Sequence, residues 1–261
     1  MTKTIAASAA FLLVLSLGAC QTAPPPVAQA PAPAIDPQAL ALAQKAVDTE
    51  EVQNVISRYS DYYFENDFDN VAKQFALDRA DTTYGVPMVI TGGDAIKAEF
   101  ERRKAQYEAG KDPVGQLHVH PNSTPIIEIA GDGQTAKGVF DSFGPDIQCT
   151  TDVGDWLYLR KAVDFIKEPD GWKIWHMQDY PVFNTPYNRS ITQHALDLAR
   201  SKGVGAMPAC IAGMVRQANA GRPAGGAAPM KIWIYDGKTV QPLGVPKLPV
   251  PYQTFDPKDA Y

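Results

Sequence analysis

Three cysteines and four histidines are few for 261 residues, and both scarcities limit the chemistry available. No Cys-x-x-Cys pair occurs, so the usual signature of a cysteine zinc site or a dithiol redox centre is missing. There is no Gly-x-Ser-x-Gly elbow, no Walker loop and no Gly-x-Gly-x-x-Gly between a strand and a helix. Nucleotide-driven and serine-hydrolase chemistries therefore lose their usual signatures. The charge is nearly balanced, 24 basic against 29 acidic residues, and no basic cluster suits nucleic acid or anionic headgroups. Long apolar runs are missing too: nothing approaches the ~20 residues that a membrane-spanning helix needs.

What is present begins with Lys3, an apolar stretch from Ala6 to Leu17, and then Leu17-Gly18-Ala19-Cys20. A basic start, a short apolar core and small residues before a cut are the parts of a secretory signal. Ending on Leu-Gly-Ala-Cys, the segment resembles a bacterial lipoprotein signal. The resemblance implies lipidation of Cys20 as the mature N-terminus, and Gln21 in place of Asp implies the outer membrane, facing the periplasm. Loss of residues 1–19 removes Lys3, so 24 basic residues become 23 against 29 acidic, a net charge of −6. Residues 20–37, QTAPPPVAQAPAPAIDP after the cysteine, cannot bury a core and read as an extended Pro/Ala spacer. In an oxidising compartment Cys149 and Cys210 form either a disulfide or two separate buried thiols.

Residues 38–187 read as one domain, followed over 188–261 by a helix and an extended arm. Asp48 and Glu51 have capping-box spacing, and Val52, Val55, Ile56, Tyr59 and Tyr63 then recur at helical intervals. A second helix follows Gly92-Gly93-Asp94, with Ile96 and Phe100 on its apolar side. The period then changes to two: PIIEIA, QTAKGVFDSF, DWLYLRKAVDFIKE and GWKIWHMQDYPVF read as strands, joined by turns at Gly131-Asp132-Gly133 and Glu168–Gly171. Short connections make such strands antiparallel. Helices followed by a meander specify an α+β fold with helices on one face of the sheet. The proline-spaced end, through LPVPYQTF, cannot pack on itself and suggests an arm laid over a neighbouring subunit or closed over its own pocket.

HPNSTPIIEIAGDGQTAKGVF followed by DFIKEPDGWKIWHMQDYPVF resembles the SnoaL-like branch of the nuclear transport factor 2-like superfamily. The resemblance covers about residues 45–187. It implies a cone: a strongly curved antiparallel sheet wrapped over helices, with a deep pocket between them. Enzymes of this branch move protons on hydrophobic cyclic substrates without a cofactor. A nearer resemblance is to the cofactor-free lyases that act on lignin-derived diarylpropanes, and it implies an aromatic substrate. Ten Phe, eleven Tyr and four Trp could build the walls of such a site.

The residues themselves leave several readings open. His118 and His120 are two apart and share a face if extended. They could be one acid/base and one structural histidine, a metal pair, or two hydrogen-bonded edge residues. A metal would need a third ligand from afar, His176 or Asp141, because Glu128 comes eight residues after His120. His176 is expected in line with Trp172 and Ile174, buried or lining the site. Tyr59 and Tyr63 share one helix stripe and could donate to a developing oxyanion. Asp141, an Arg160–Asp164 pair on one strand face, Tyr84 at the mouth and Trp172 complete the candidate set. The expectation is a cofactor-independent lyase or dehydratase with His118, His120, His176, Asp141 and Tyr59 as leading residues and with no metal. The alternative is a lipoprotein that binds a hydrophobic ligand without chemistry. A homo-oligomer and no nucleic-acid partner are expected in either case.

Overall fold

The computed structural model describes residues 36–85, 89–110, 116–147, 154–200, 235–238 and 245–261. Cys20, Cys149 and Cys210 lie outside these residues, as does the whole signal and most of the Pro/Ala spacer. No helix among the described residues is long and apolar enough to cross a membrane.

The first helix, α1 (Pro37–Phe64), starts eleven residues before the expected capping box. Asp48 is therefore not a cap. It lies mid-helix, buried, where Lys167 Nζ at 2.6 Å and Trp172 Nε1 at 3.0 Å donate to it. Those long-range donors satisfy a carboxylate that would otherwise disfavour burial. A short α2 (Phe68–Ala72) is capped by Asp67, whose side chain accepts from Asn70 N–H. Then come β1 (Thr83–Gly85), β2 (Val89–Thr91) and α3 (Gly93–Glu108).

The sheet is completed by β3 (Leu117–His118), β4 (Asn122–Ile129), β5 (Thr135–Ile147), β6 (Asp155–Glu168) and β7 (Gly171–Pro186). Its order is β2-β1-β7-β6-β5-β3, with β4 also paired to β5. All pairings are antiparallel except β1 with β7, so the sheet is mixed. Helix α4 (Ile191–Arg200) follows β7.

This is the expected α+β cone: a curled sheet over helices. Its apolar phase faces inward. Ala136 and Phe140 of β5, Val163 and Phe165 of β6, and Ile174 and Met177 of β7 pack against Val52, Ile56 and Tyr59 of α1 and Phe100 of α3. Burial of side chains of this size stabilises by about 1.5–3 kcal/mol each.

A bulge decides which residues join that core. In β7, Ile174 pairs with Phe165 and His176 pairs with Asp164, leaving Trp175 as one extra residue. Alternation holds on either side but changes phase across the bulge. Trp172 and Ile174 point inward before it; Met177 and Asp179 do so after it.

The described arm residues lie on the outer face of their own sheet. Gly131 N–H and Asp132 N–H donate to the carbonyls of Tyr252 and Gln253, and Phe255 sits 4.6 Å from the Trp175 ring.

Candidate active site

The outer face of the sheet holds several of the expected residues, which therefore cannot serve the interior. The expected alignment of His176 with Trp172 and Ile174 fails because of the bulge at Trp175. His176 faces outward, its Nδ1 2.9 Å from Asp164 Oδ2, with its ring against Trp175 and Phe255. Asp164 is also held by Lys137 Nζ at 2.8 Å and by Tyr261 N–H at 2.9 Å. The expected Arg160–Asp164 pair does not form. Arg160 Nε instead reaches Asp141 Oδ1 at 3.1 Å, because Arg160 and Asp141 are cross-strand partners in β6 and β5. Asp141, Arg160, Asp164 and His176 thus belong to the outer face. Trp172 is an inner core residue whose indole N–H is already given to Asp48.

The interior is built from other residues together with Tyr59, Tyr63, Tyr84, His118 and His120. Tyr84 does not stand at a mouth as expected: it is fully buried on β1, in the core, and places its hydroxyl 3.5 Å from that of Tyr59. Burial, reinforced by neighbouring phenols, pushes both hydroxyls well above the ordinary range, so both remain protonated donors. Arg103 of α3 donates to the Tyr63 hydroxyl and to Glu99. These side chains form the helical wall.

The opposite wall carries the acid–base groups. His118 pairs in register with Asp146, and its Nδ1 lies 2.6 Å from Asp146 Oδ1. The Gln116 side-chain amide donates to His118 Nε2. This arrangement turns Nδ1 toward the carboxylate and Nε2 toward the Gln116 amide. His120 Nε2 approaches the same Asp146 oxygen at 3.8 Å. Burial pushes His120 down to about 4; the positive charge of Lys161 helps and Asp146 opposes. His120 is therefore neutral at pH 7. Beside them, burial and the charge of Asp146 raise Asp155 to about 6.

Two interior groups carry no mark in any motif. Lys161 and Asp179 are direct partners across β6 and β7, with Nζ 2.7 Å from Oδ1 and both side chains 5 % exposed. The Lys161 ammonium also stands 5.4 Å from the centre of the Tyr59 ring. The signal for Lys161 was its phase: Leu157, Leu159, Lys161, Val163 and Phe165 alternate as one apolar face, and a lysine sits among them. Asp146 is likewise in phase with Phe140 and Ser142.

Several polar atoms of this wall are buried without a hydrogen-bond partner among the described residues, namely His120 Nε2, Asn122 Oδ1 and Ser142 Oγ, although His120 Nε2 keeps its longer contact with Asp146. Asn122 and Ser142 face each other across β4 and β5, while Asn122 Nδ2 is spent on the Ile56 carbonyl. Buried polar atoms are normally satisfied, so a group of three on one wall suits a polar ligand. The ligand atoms of His118, His120 and Asp146 lie within 4.8 Å of one another, which two imidazoles and a carboxylate need to hold a divalent ion.

A family model described as SnoaL-like domain matches residues 44–178, just over half of the chain. No curated protein matches the sequence significantly. Among solved structures, a candidate scytalone dehydratase from Novosphingobium aromaticivorans is 18 % identical, with a TM-score of 0.46 over 57 % of this chain and 94 % of that one. A hexachlorocyclohexane dehydrochlorinase from Novosphingobium barchaimii is 9 % identical, with a TM-score of 0.45 over 57 % and 95 %. A point variant of a Mycobacterium tuberculosis protein of unknown function is 17 % identical, with a TM-score of 0.48 over 76 % and 99 %.

Proposed function

The chain belongs to the SnoaL-like family, and from that footing we propose that it is a cofactor-independent acid–base lyase or dehydratase for a small, hydrophobic, aromatic substrate. The observation that carries the reading is the His118–Asp146 hydrogen bond on the inner wall of the cone. An imidazole oriented through Nδ1 by a buried carboxylate can accept a proton at Nε2 once Gln116 yields that position to substrate. The carboxylate then stabilises the imidazolium that forms. Tyr59 and Tyr84, kept protonated by burial, face the same interior as donors to a leaving hydroxyl or a developing oxyanion.

A para-hydroxylated diarylpropane diol suits this set. Protonation of the benzylic hydroxyl, with loss of the para-phenol proton, releases water and leaves a quinone methide. Removal of the proton from the primary hydroxyl then breaks the neighbouring C–C bond, releasing formaldehyde and a stilbene. Acid, base and a shielded aromatic site are sufficient for both steps. In the same proposal, lipidated Cys20 tethers the domain in the envelope, at the outer membrane, where poorly soluble aromatics could be handled. Incorporation of labelled fatty acid into the wild type, lost in Cys20→Ser, tests the anchor.

The enzyme reading is tested by ultraviolet scans of the full chain in detergent with para-hydroxylated aromatic dimers and a chelator. Growth of long-wavelength absorbance, abolished in His118→Ala, is the expected result. A second reading has the support of the His118, His120 and Asp146 geometry: the three side chains hold a divalent ion that polarises substrate. It predicts no absorbance with chelator and recovery on adding a divalent metal. A flat trace in both conditions overturns the enzyme reading and leaves a hydrophobic-ligand binder.

A further inference from the structure

The sheet buries one lysine on each side of its centre, and the two are treated differently. On the outer face, Lys137 donates to Asp164 Oδ1 at 2.8 Å and to the Asp259 carbonyl at 2.6 Å. The rings of Phe255 and Tyr261, at 4.9 and 4.6 Å, cover the remainder of its ammonium. Its bonding capacity is filled by the protein. On the inner face, Lys161 is as deeply buried, yet Asp179 Oδ1 is its one hydrogen-bond acceptor among the described residues. An ammonium carries three donors. Its other close neighbour is the face of Tyr59, which satisfies the charge in part and directs the ammonium toward the phenols.

The surroundings define what could complete it. Tyr59 and Tyr84 set two neutral hydroxyls on the helical side, and Phe75 and Phe100 back them edge-on or tilted. His120, close enough to feel the Lys161 charge, and Asn122 present polar atoms without a hydrogen-bond partner among the described residues on the strand side. A permanently charged carboxylate would have to lose its water and also face Asp179. A phenol or an enolisable ketone enters neutral and becomes charged only beside the ammonium, which avoids that cost.

We propose that Lys161 is the anion anchor of the cone: its ammonium, positioned by Asp179, receives the oxygen of a phenolate or enolate conjugated to an aromatic body. The proposal rests on the enzyme reading for its place in a reaction, where Lys161 would stabilise the oxyanion as His118 takes a proton. The binding site itself can be tested without turnover.

The probe is 4-nitrophenol, whose ionised form absorbs at longer wavelength. The full chain is titrated with it across pH while the bound spectrum is followed. Bound to the wild type, it should ionise about one pH unit or more below the free phenol, equivalent to roughly tenfold or greater preference for the phenolate. Lys161→Arg should keep most of that shift. Lys161→Met should lose it, and so should Lys161→Met/Asp179→Asn, which removes the stranded carboxylate and whose fold is checked by circular dichroism. Failure of the wild type to bind the probe, binding of the neutral form alone, or an unchanged shift in the folded double variant overturns the proposal, whatever the lyase assay gives. A Lys161-dependent shift without turnover of any aromatic dimer keeps the anchor and discards the enzyme reading.

Discussion

His118 and Asp146 are cross-strand partners in β3 and β5, and their side chains meet at 2.6 Å on the inner wall of the cone. Pairing in register makes this contact a property of the sheet rather than of a loop. If the dyad is the proton acceptor, His118→Ala should lower kcat on an aromatic dimer by about 100-fold or more. Asp146→Asn should lower it less, because the imidazole persists but loses its orienting charge. Steady-state kinetics on both variants check this.

His176 supplies the control. It is buried beneath Phe255 on the outer face and bonded to Asp164. His176→Ala should lower the thermal midpoint, since it strands part of the Asp164 network, yet retain kcat. Equal loss of kcat in His176→Ala and His118→Ala, in folded proteins, would contradict the division between inner and outer faces.

The Lys161–Asp179 pair should be expensive to break and cheap to replace. Both side chains are nearly inaccessible, so Lys161→Met leaves a buried, uncompensated Asp179 and should cost about 3–5 kcal/mol. Burial already drives the Asp179 carboxyl upward, with Lys161 opposing. Lys161→Met/Asp179→Leu should recover most of the loss. Urea titration of the three proteins measures the difference.

Asp155 should give stability a pH dependence of its own. Its folded value is raised to about 6 by burial and by Asp146, above the ordinary 3.8. Between these values the folded state holds a proton that the unfolded state has released. The contribution is therefore fully present below about pH 4 and is lost as pH rises through about 6. Asp155→Asn cannot lose it, so the variant's thermal midpoint should gain on the wild type from pH 4 to 7. A constant difference across that range would contradict the assignment.

Gly144 should tolerate no side chain. A Cβ there would fall 1.7 Å from the Val119 carbonyl oxygen, and the Val119 backbone is tied to β5 by its N–H bond to Pro145 O. Gly144→Ala must push away the segment carrying His118 and His120. A loss of about 1–3 kcal/mol or more and a fall in kcat should appear together, read by denaturation and kinetics.

The four long strands were legible in sequence because β-branched and aromatic residues alternate between clear turns, and β6 spans the expected residues 155–168. The short β1, β2 and β3 were not, since two or three residues carry no period and depend on partners far along the chain. The site divided along similar lines. Tyr59 and Tyr84 face the interior, and so do the His-x-His residues at Asp146. Asp141, Arg160 and Asp164 alternate correctly among themselves, but alternation alone does not say which phase is inside. Lys161 could have been found as the charged residue in an apolar phase. Its partner Asp179 lies beyond a bulge that no local pattern announces.

That single extra residue at Trp175 acts as a selector between two sets of side chains. Were Trp175 drawn into regular pairing opposite Asp164, the strand beyond would present His176 and Gln178 to the helices and turn Met177 and Asp179 to the arm. That one-step slip would set Gln178 opposite Lys161 in place of Asp179, an amide for a carboxylate, while leaving the pairing of β5 with β6 unchanged. Losing Trp175 outright would instead restore plain alternation and keep Asp179 opposite Lys161, so the interior depends on that residue standing outside the pairing rather than on its presence.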